Sequence, residues 1–105
     1  MSGQDRLEVL RRMLERNPSD ARVHFGLAAE YEKRGEWDNV IAALEAYLNL
    51  SEDQGNAWGR LGNALVKTGR TEAAKQAYAR GIEAAYAHGH PSMAAEFEDI
   101  LADLI

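Results

Sequence analysis

Residues 58–78 read WGRLGNALVKTGRTEAAKQAY. Good helix formers dominate the stretch, yet glycine stands at 59, 62 and 69. A glycine inside a helix costs about 1 kcal/mol relative to alanine, so repeated glycines must return something in packing or in turns. Trp58, Leu61, Gly62 and Leu65 recur at i, i+3, i+4 and i+7, one face of a helix. Gly69 then breaks the pattern and suits the left-handed conformation that ends a helix. Beyond it Ala74, Ala77, Tyr78, Gly81 and Ile82 form a second apolar stripe. The stretch therefore reads as a helix, a turn and a second helix.

Sliding the chain by 34 residues repeats the unit without a gap. Gly35 falls on Gly69, Leu27 on Leu61, Lys33 on Lys67, Ala28 on Gly62, Tyr31 on Leu65 and Leu48 on Ile82. The earlier copy (21–54) places His24, Leu27, Ala28 and Tyr31 before Gly35, and Val40, Ala43, Leu44, Tyr47 and Leu48 after it. The later copy spans 55–88. Before both lies RLEVLRRMLERNPSD, a lone second helix; after both lies PSMAAEFEDILADLI. We expect helices over about 4–16, 20–33, 37–50, 54–67, 71–87 and 91–104.

These features resemble the tetratricopeptide repeat (TPR) family, whose 34-residue unit pairs two antiparallel helices, A and B. WGRLGNAL (58–65) matches its helix A pattern and AKQAYARGI (74–82) its helix B pattern. The earlier copy matches with His24 at the aromatic position and Ala28 at the small one. Neither copy has the family's closing proline, where Glu52 and Tyr86 stand, but Pro18 is in register after the lone helix. The resemblance implies an all-α fold, a right-handed α-α superhelix (TPR solenoid) of about six antiparallel helices. It implies a single domain over 1–105: a half-repeat to residue 20, repeats at 21–54 and 55–88, and a capping helix at 89–105.

The glycines then separate by cause. Gly62, like Ala28, is small where helix A meets helix B, and Gly35 and Gly69 turn the chain. Gly59 and Gly26 have no packing reason legible in the sequence. They are either open backbone that a partner approaches or surface glycines without consequence.

The ends differ. In the last segment Met93, Phe97, Ile100, Leu101, Leu104 and Ile105 share an arc of about 140°, with Glu96, Glu98, Asp99 and Asp103 outside it. In the first, Leu7, Leu10 and Leu14 form a stripe that Val9 and Met13 widen to roughly 160°. We expect Val9 and Met13 to be partly exposed.

Much chemistry is excluded. An apolar share of 46% suffices for a core, and the absence of cysteine removes disulfides and thiolate metal sites. No apolar run is long enough to span a bilayer, and MSGQDRLEVL is not a signal peptide, so we expect a cytoplasmic chain. The net charge of −5 disfavours nucleic acid. Residues 55–88 nevertheless carry five bases against two acids, a mildly basic middle between acidic neighbours. His88 and His90 have no third ligand nearby in sequence, and His24 sits at a core position, so no metal is expected. No phosphate loop, HExxH pair or nucleophile motif is present; we expect no catalytic residues, no cofactor and no enzyme activity.

The resemblance implies a non-catalytic protein-protein interaction module that binds a short peptide or partner helix in the concave groove. In the family that groove is lined by the side of helix A turned away from helix B. By register it takes Arg22, Phe25, Ala29 and Lys33, then Asn56, Gly59, Arg60, Asn63, Val66 and Lys67. The basic residues point to a partner with acidic and apolar residues; neither nucleic acid nor membrane is expected. Of the positions that clamp chaperone C-termini in some members, only Asn63 fits, so that ligand is not expected. A monomer is the expected state. The alternatives are docking by the convex face and a self-assembling unit, a weak homodimer through Val9 and Met13 of the half-repeat.

Overall fold

The computed structural model describes the backbone of residues 3–104 and the side chains of residues 6–104. Six helices follow one another: α1 (Gly3–Arg16), α2 (Ala21–Arg34), α3 (Trp37–Leu50), α4 (Asn56–Lys67), α5 (Thr71–Ala87) and α6 (Pro91–Asp103). No strand occurs among the described residues. Gly35 (φ 69°) and Gly69 (φ 76°) take the left-handed conformation after α2 and α4, as the sequence requires. There the Glu36 and Arg70 N–H groups donate back to the carbonyls of Tyr31 and Leu65.

The largest departure from the expected boundaries is the start of α4, at Asn56 rather than 54. The Asp53 carboxylate accepts from the N–H groups of Gly55 and Ala57, both at 2.8 Å, and holds the chain in a turn until the helix begins. Asp53→Ala should cost about 1 kcal/mol, the usual effect of losing such a cap. Denaturant unfolding checks it, and an unchanged midpoint would show that water serves those groups equally well. Asp20 caps α2, accepting from the Arg22 N–H at 3.1 Å. The bond from the Arg22 side chain is the main cause that holds the Asp20 carboxyl below its usual range.

The sequence reading treats the chain as one domain; by packing, its helices group into two compact units, with the division in the chain between Ser51 and Glu52. In the first, α2 packs against α1 and α3. Leu7, Val23, Leu27, Ala28, Val40 and Leu44 are buried there. Glu30 is buried as well, and its carboxylate meets Arg6 at 2.8 Å and Lys33 at 3.3 Å. A buried carboxylate stripped of such partners is strongly destabilising, so the two cations are part of how α1 and α2 fit together. His24 is half-buried, and its Nε2 donates to the Pro18 carbonyl at 2.8 Å, a tie beyond the packing role expected for it. Val9 and Met13 are 42% and 43% exposed, as the width of the α1 stripe suggests.

In the second unit α5 packs against α4 and α6. Ala57, Leu61, Ala64, Leu65, Ala74, Ala77 and Tyr78 are buried. The Arg80 guanidinium lies 5.0 Å from the centre of the Trp58 ring. The expected inward face of α6 needs one correction. Phe97 is buried and Met93, Leu101 and Leu104 are half-buried, but Ile100 is 37% exposed and Ala94 is fully buried. The helix is rotated so that Ala94, Phe97 and Leu101 face inward, because an alanine packs where a larger residue would hold α6 away. Ile105 lies outside the described side chains.

Candidate functional site

What a Cβ would meet at each helical glycine shows what the glycine is for. At Gly62 it would lie 2.7–2.8 Å from three atoms of the Tyr78 ring, the expected close contact of α4 with α5. Gly59 is not open backbone: a Cβ there would lie 2.4 and 2.6 Å from atoms of the Phe97 ring. Gly81 faces the same ring at 3.0 Å, and Gly55 faces the Met93 sulfur at 2.8 Å. Glycines of α4 and α5 thus form a slot that receives one aromatic side chain of α6, whose ring centre lies 5.6 Å from that of Tyr78. Gly26 also has a packing reason, since its Cβ would sit 3.2 Å from Leu10. Gly59 is buried and leaves no room for a partner, whereas Gly26 is half-buried with its Cβ direction turned to Leu10.

The first unit fills the equivalent space differently. The residues 34 positions before Gly59 and Gly81 are Phe25 and Tyr47, whose rings meet at 5.0 Å and 58°. That exchange of two glycines for two aromatics at matched positions is visible in the sequence once the repeats are aligned.

The remaining expected site residues divide by unit. In the first, Phe25 and Ala29 are half-buried and Arg22 and Lys33 are exposed. Both cations sit beside carboxylates, Arg22 at 3.4 Å from Asp20 and Lys33 at 3.3 Å from Glu30, so the positive bias expected of this face is largely offset. In the second, Asn56, Asn63, Val66 and Lys67 are exposed and Arg60 is half-buried. Positions 56, 60, 63 and 67 are spaced four, three and four apart and form one stripe along α4. Along this stripe two amides, each able to donate and accept, alternate with two cations: Asn56, Arg60, Asn63, Lys67.

The histidines tie loops together. The His90 Nε2 donates to the Gln54 side-chain oxygen at 2.6 Å, and the His88 Nε2 lies 4.0 Å from the Glu52 carboxylate. Among the described residues no group of three His, Cys, Asp or Glu side chains is placed to hold a metal ion. The Tyr86 hydroxyl, at the position of the family's proline, donates to Glu98 at 3.2 Å and links α5 to α6. The Glu98 charge pushes the Tyr86 hydroxyl above its ordinary pKa. No helix among the described residues is long and apolar enough to cross a membrane.

A family model for the tetratricopeptide repeat matches residues 31–95. The small glutamine-rich tetratricopeptide repeat-containing protein 2 of Mycosarcoma maydis is 30% identical over 77 residues, 73% of this chain and 22% of that protein. The peroxisomal targeting signal receptor of Candida albicans is 33% identical over 64 residues, 61% of this chain and 11% of that protein. The chain thus spans a minor part of the length of both. A TPR repeat-containing protein of Pseudomonas aeruginosa is 28% identical over 83 residues, 79% of each chain. The crystal structure of MamA superposes with a TM-score of 0.71 at 18% identity, covering 93% of this chain and 66% of that one, a likeness of fold. With the 34-residue period, the small residues between paired helices and the family match in agreement, the chain belongs to the tetratricopeptide repeat family and has its all-α solenoid fold.

Proposed function

We propose that the chain is a non-catalytic protein-interaction module that holds a short peptide or partner helix in the groove of the family, with α4 as the main contact. The observation that carries this reading is the exposed stripe of Asn56, Asn63 and Lys67, with Val66 39% exposed beside it. Membership of the family supports a protein partner, and one relative is named as a receptor for a targeting signal. Asn63 supplies an amide that suits the backbone of a bound peptide. Arg60 and Lys67 favour acidic residues in the partner, acting mainly on the rate and orientation of docking. Affinity should therefore fall as salt is added.

The test is a library of short synthetic peptides rich in apolar and acidic residues, extended and helical, screened against the isotope-labelled chain. Hits should shift the amides of α4. Asn63→Ala and Arg60→Glu, with melting unchanged, should each weaken binding roughly tenfold, about 1.4 kcal/mol. If both variants bind like the original chain and the shifted amides lie on α3 or α5, α4 is not the site.

A further inference from the structure

The two outer helices of the second unit share one exposed face, and its charges are of two signs. Helices α4 and α6 both neighbour α5 through short turns, so they run in the same direction. They meet where the Phe97 ring fills the place of a Gly59 side chain. Counting about 100° per residue from that seam, Gly62 on α4 and Ala94 on α6 turn toward α5, where both are buried. In the opposite sense, away from α5, α4 presents Asn63, then Lys67, then Arg60. On α6 the same side presents Ile100, then Glu96, then Asp103. Ile100 is 37% exposed, and Val66, two turns beyond Gly59 on the seam itself, is 39% exposed. Glu96 and Asp103 are exposed as well.

Across this face, then, a basic edge on α4 gives way to an apolar centre and an acidic edge on α6. A ligand whose charges are all acidic meets attraction at one edge and repulsion at the other. We propose that this face takes an amphipathic helix whose apolar stripe is bordered by acidic residues on one side and basic residues on the other. The inference rests on the interaction-module reading and narrows its partner from an acidic peptide to a two-signed helix. Chain direction is left free, because reversing a helix exchanges its two edges.

Three synthetic helical peptides with one common apolar stripe test it. One has an acidic and a basic edge, one two acidic edges and one two basic edges. Each is titrated into the isotope-labelled full chain. The mixed peptide should bind about fivefold tighter than either of the others, the scale of a few rim charge pairs. It should shift amides of both α4 and α6. The double variant Glu96→Lys with Asp103→Lys, melting unchanged, should transfer the preference to the peptide with two acidic edges. Tightest binding of that peptide by the original chain would overturn the inference and leave the module reading intact. An unchanged order in the double variant, or no response of α4 and α6 to any of the three, would also overturn it. Only a failure of the whole peptide library would remove the module reading as well.

Discussion

Gly62→Leu should destabilise the second unit by about 3 kcal/mol, the upper range for overpacking a close contact. The Tyr78 ring already stands 2.7–2.8 Å from where a Cβ would be, so even alanine would collide. The ring has little freedom to swing aside, because Tyr78 is 4% exposed and packs against the Phe97 ring. The remaining response is for α4 and α5 to separate, which exposes what is buried between them. Ala74 lies one turn from Tyr78 on the same side of α5 and is fully buried, so it loses packing if the helices part. The control is Gln76→Leu on the exposed side of α5, expected to stay within about 0.5 kcal/mol of the original chain. Denaturant unfolding of both variants gives the comparison. Equally mild effects would mean that the contact between α4 and α5 lies elsewhere.

Gly62 was legible because its partner lies within the same repeat. The aligned Ala28 shows the same demand for a small residue, and a 34-residue period exposes any requirement that recurs. Gly35 and Gly69 were legible for the same reason, as turn residues at one register position. Gly59 was not. Its occupant is Phe97, outside the repeat, and the first unit meets the same need with Phe25 and Tyr47, so comparing repeats shows a difference without showing what fills the space. The orientation of α6 was misread for a related reason. An arc drawn through the large apolar residues takes Ile100 inward and overlooks Ala94, yet close packing favours the alanine. On the candidate site, the spacing along α4 could be read directly, whereas the charge balance could be read only in part. Asp20 and Glu30 stand two and three residues from Arg22 and Lys33, close enough in sequence to be weighed, but Arg6 reaches the same Glu30 across a helix interface, and no rule of spacing along one helix brings that pair together.

Phe97→Ala should be the other severe change, costing about 3–5 kcal/mol, as expected when a buried phenylalanine is removed and its cavity persists. The cavity has little means of closing, since two of its walls are glycines with no side chain to relax into it. The effect should appear first as loss of α6 from the unit, because Phe97 and Ala94 are the buried side chains that α6 contributes. The stronger test is the dependence of Gly59→Ala on what stands at 97. With Phe97 present, the new methyl would lie 2.4 Å from a ring carbon, and the substitution should destabilise by about 2 kcal/mol. With alanine at 97 the slot is vacant, and the same substitution should be neutral or gain up to about 1 kcal/mol from helix propensity. The two changes should therefore couple by about 2 kcal/mol or more in a double-mutant cycle, within the range of residues in direct contact. Additive effects would show that Phe97 does not occupy the space at Gly59. They would also remove the seam that sets α4 beside α6, and with it the two-signed face built on that seam.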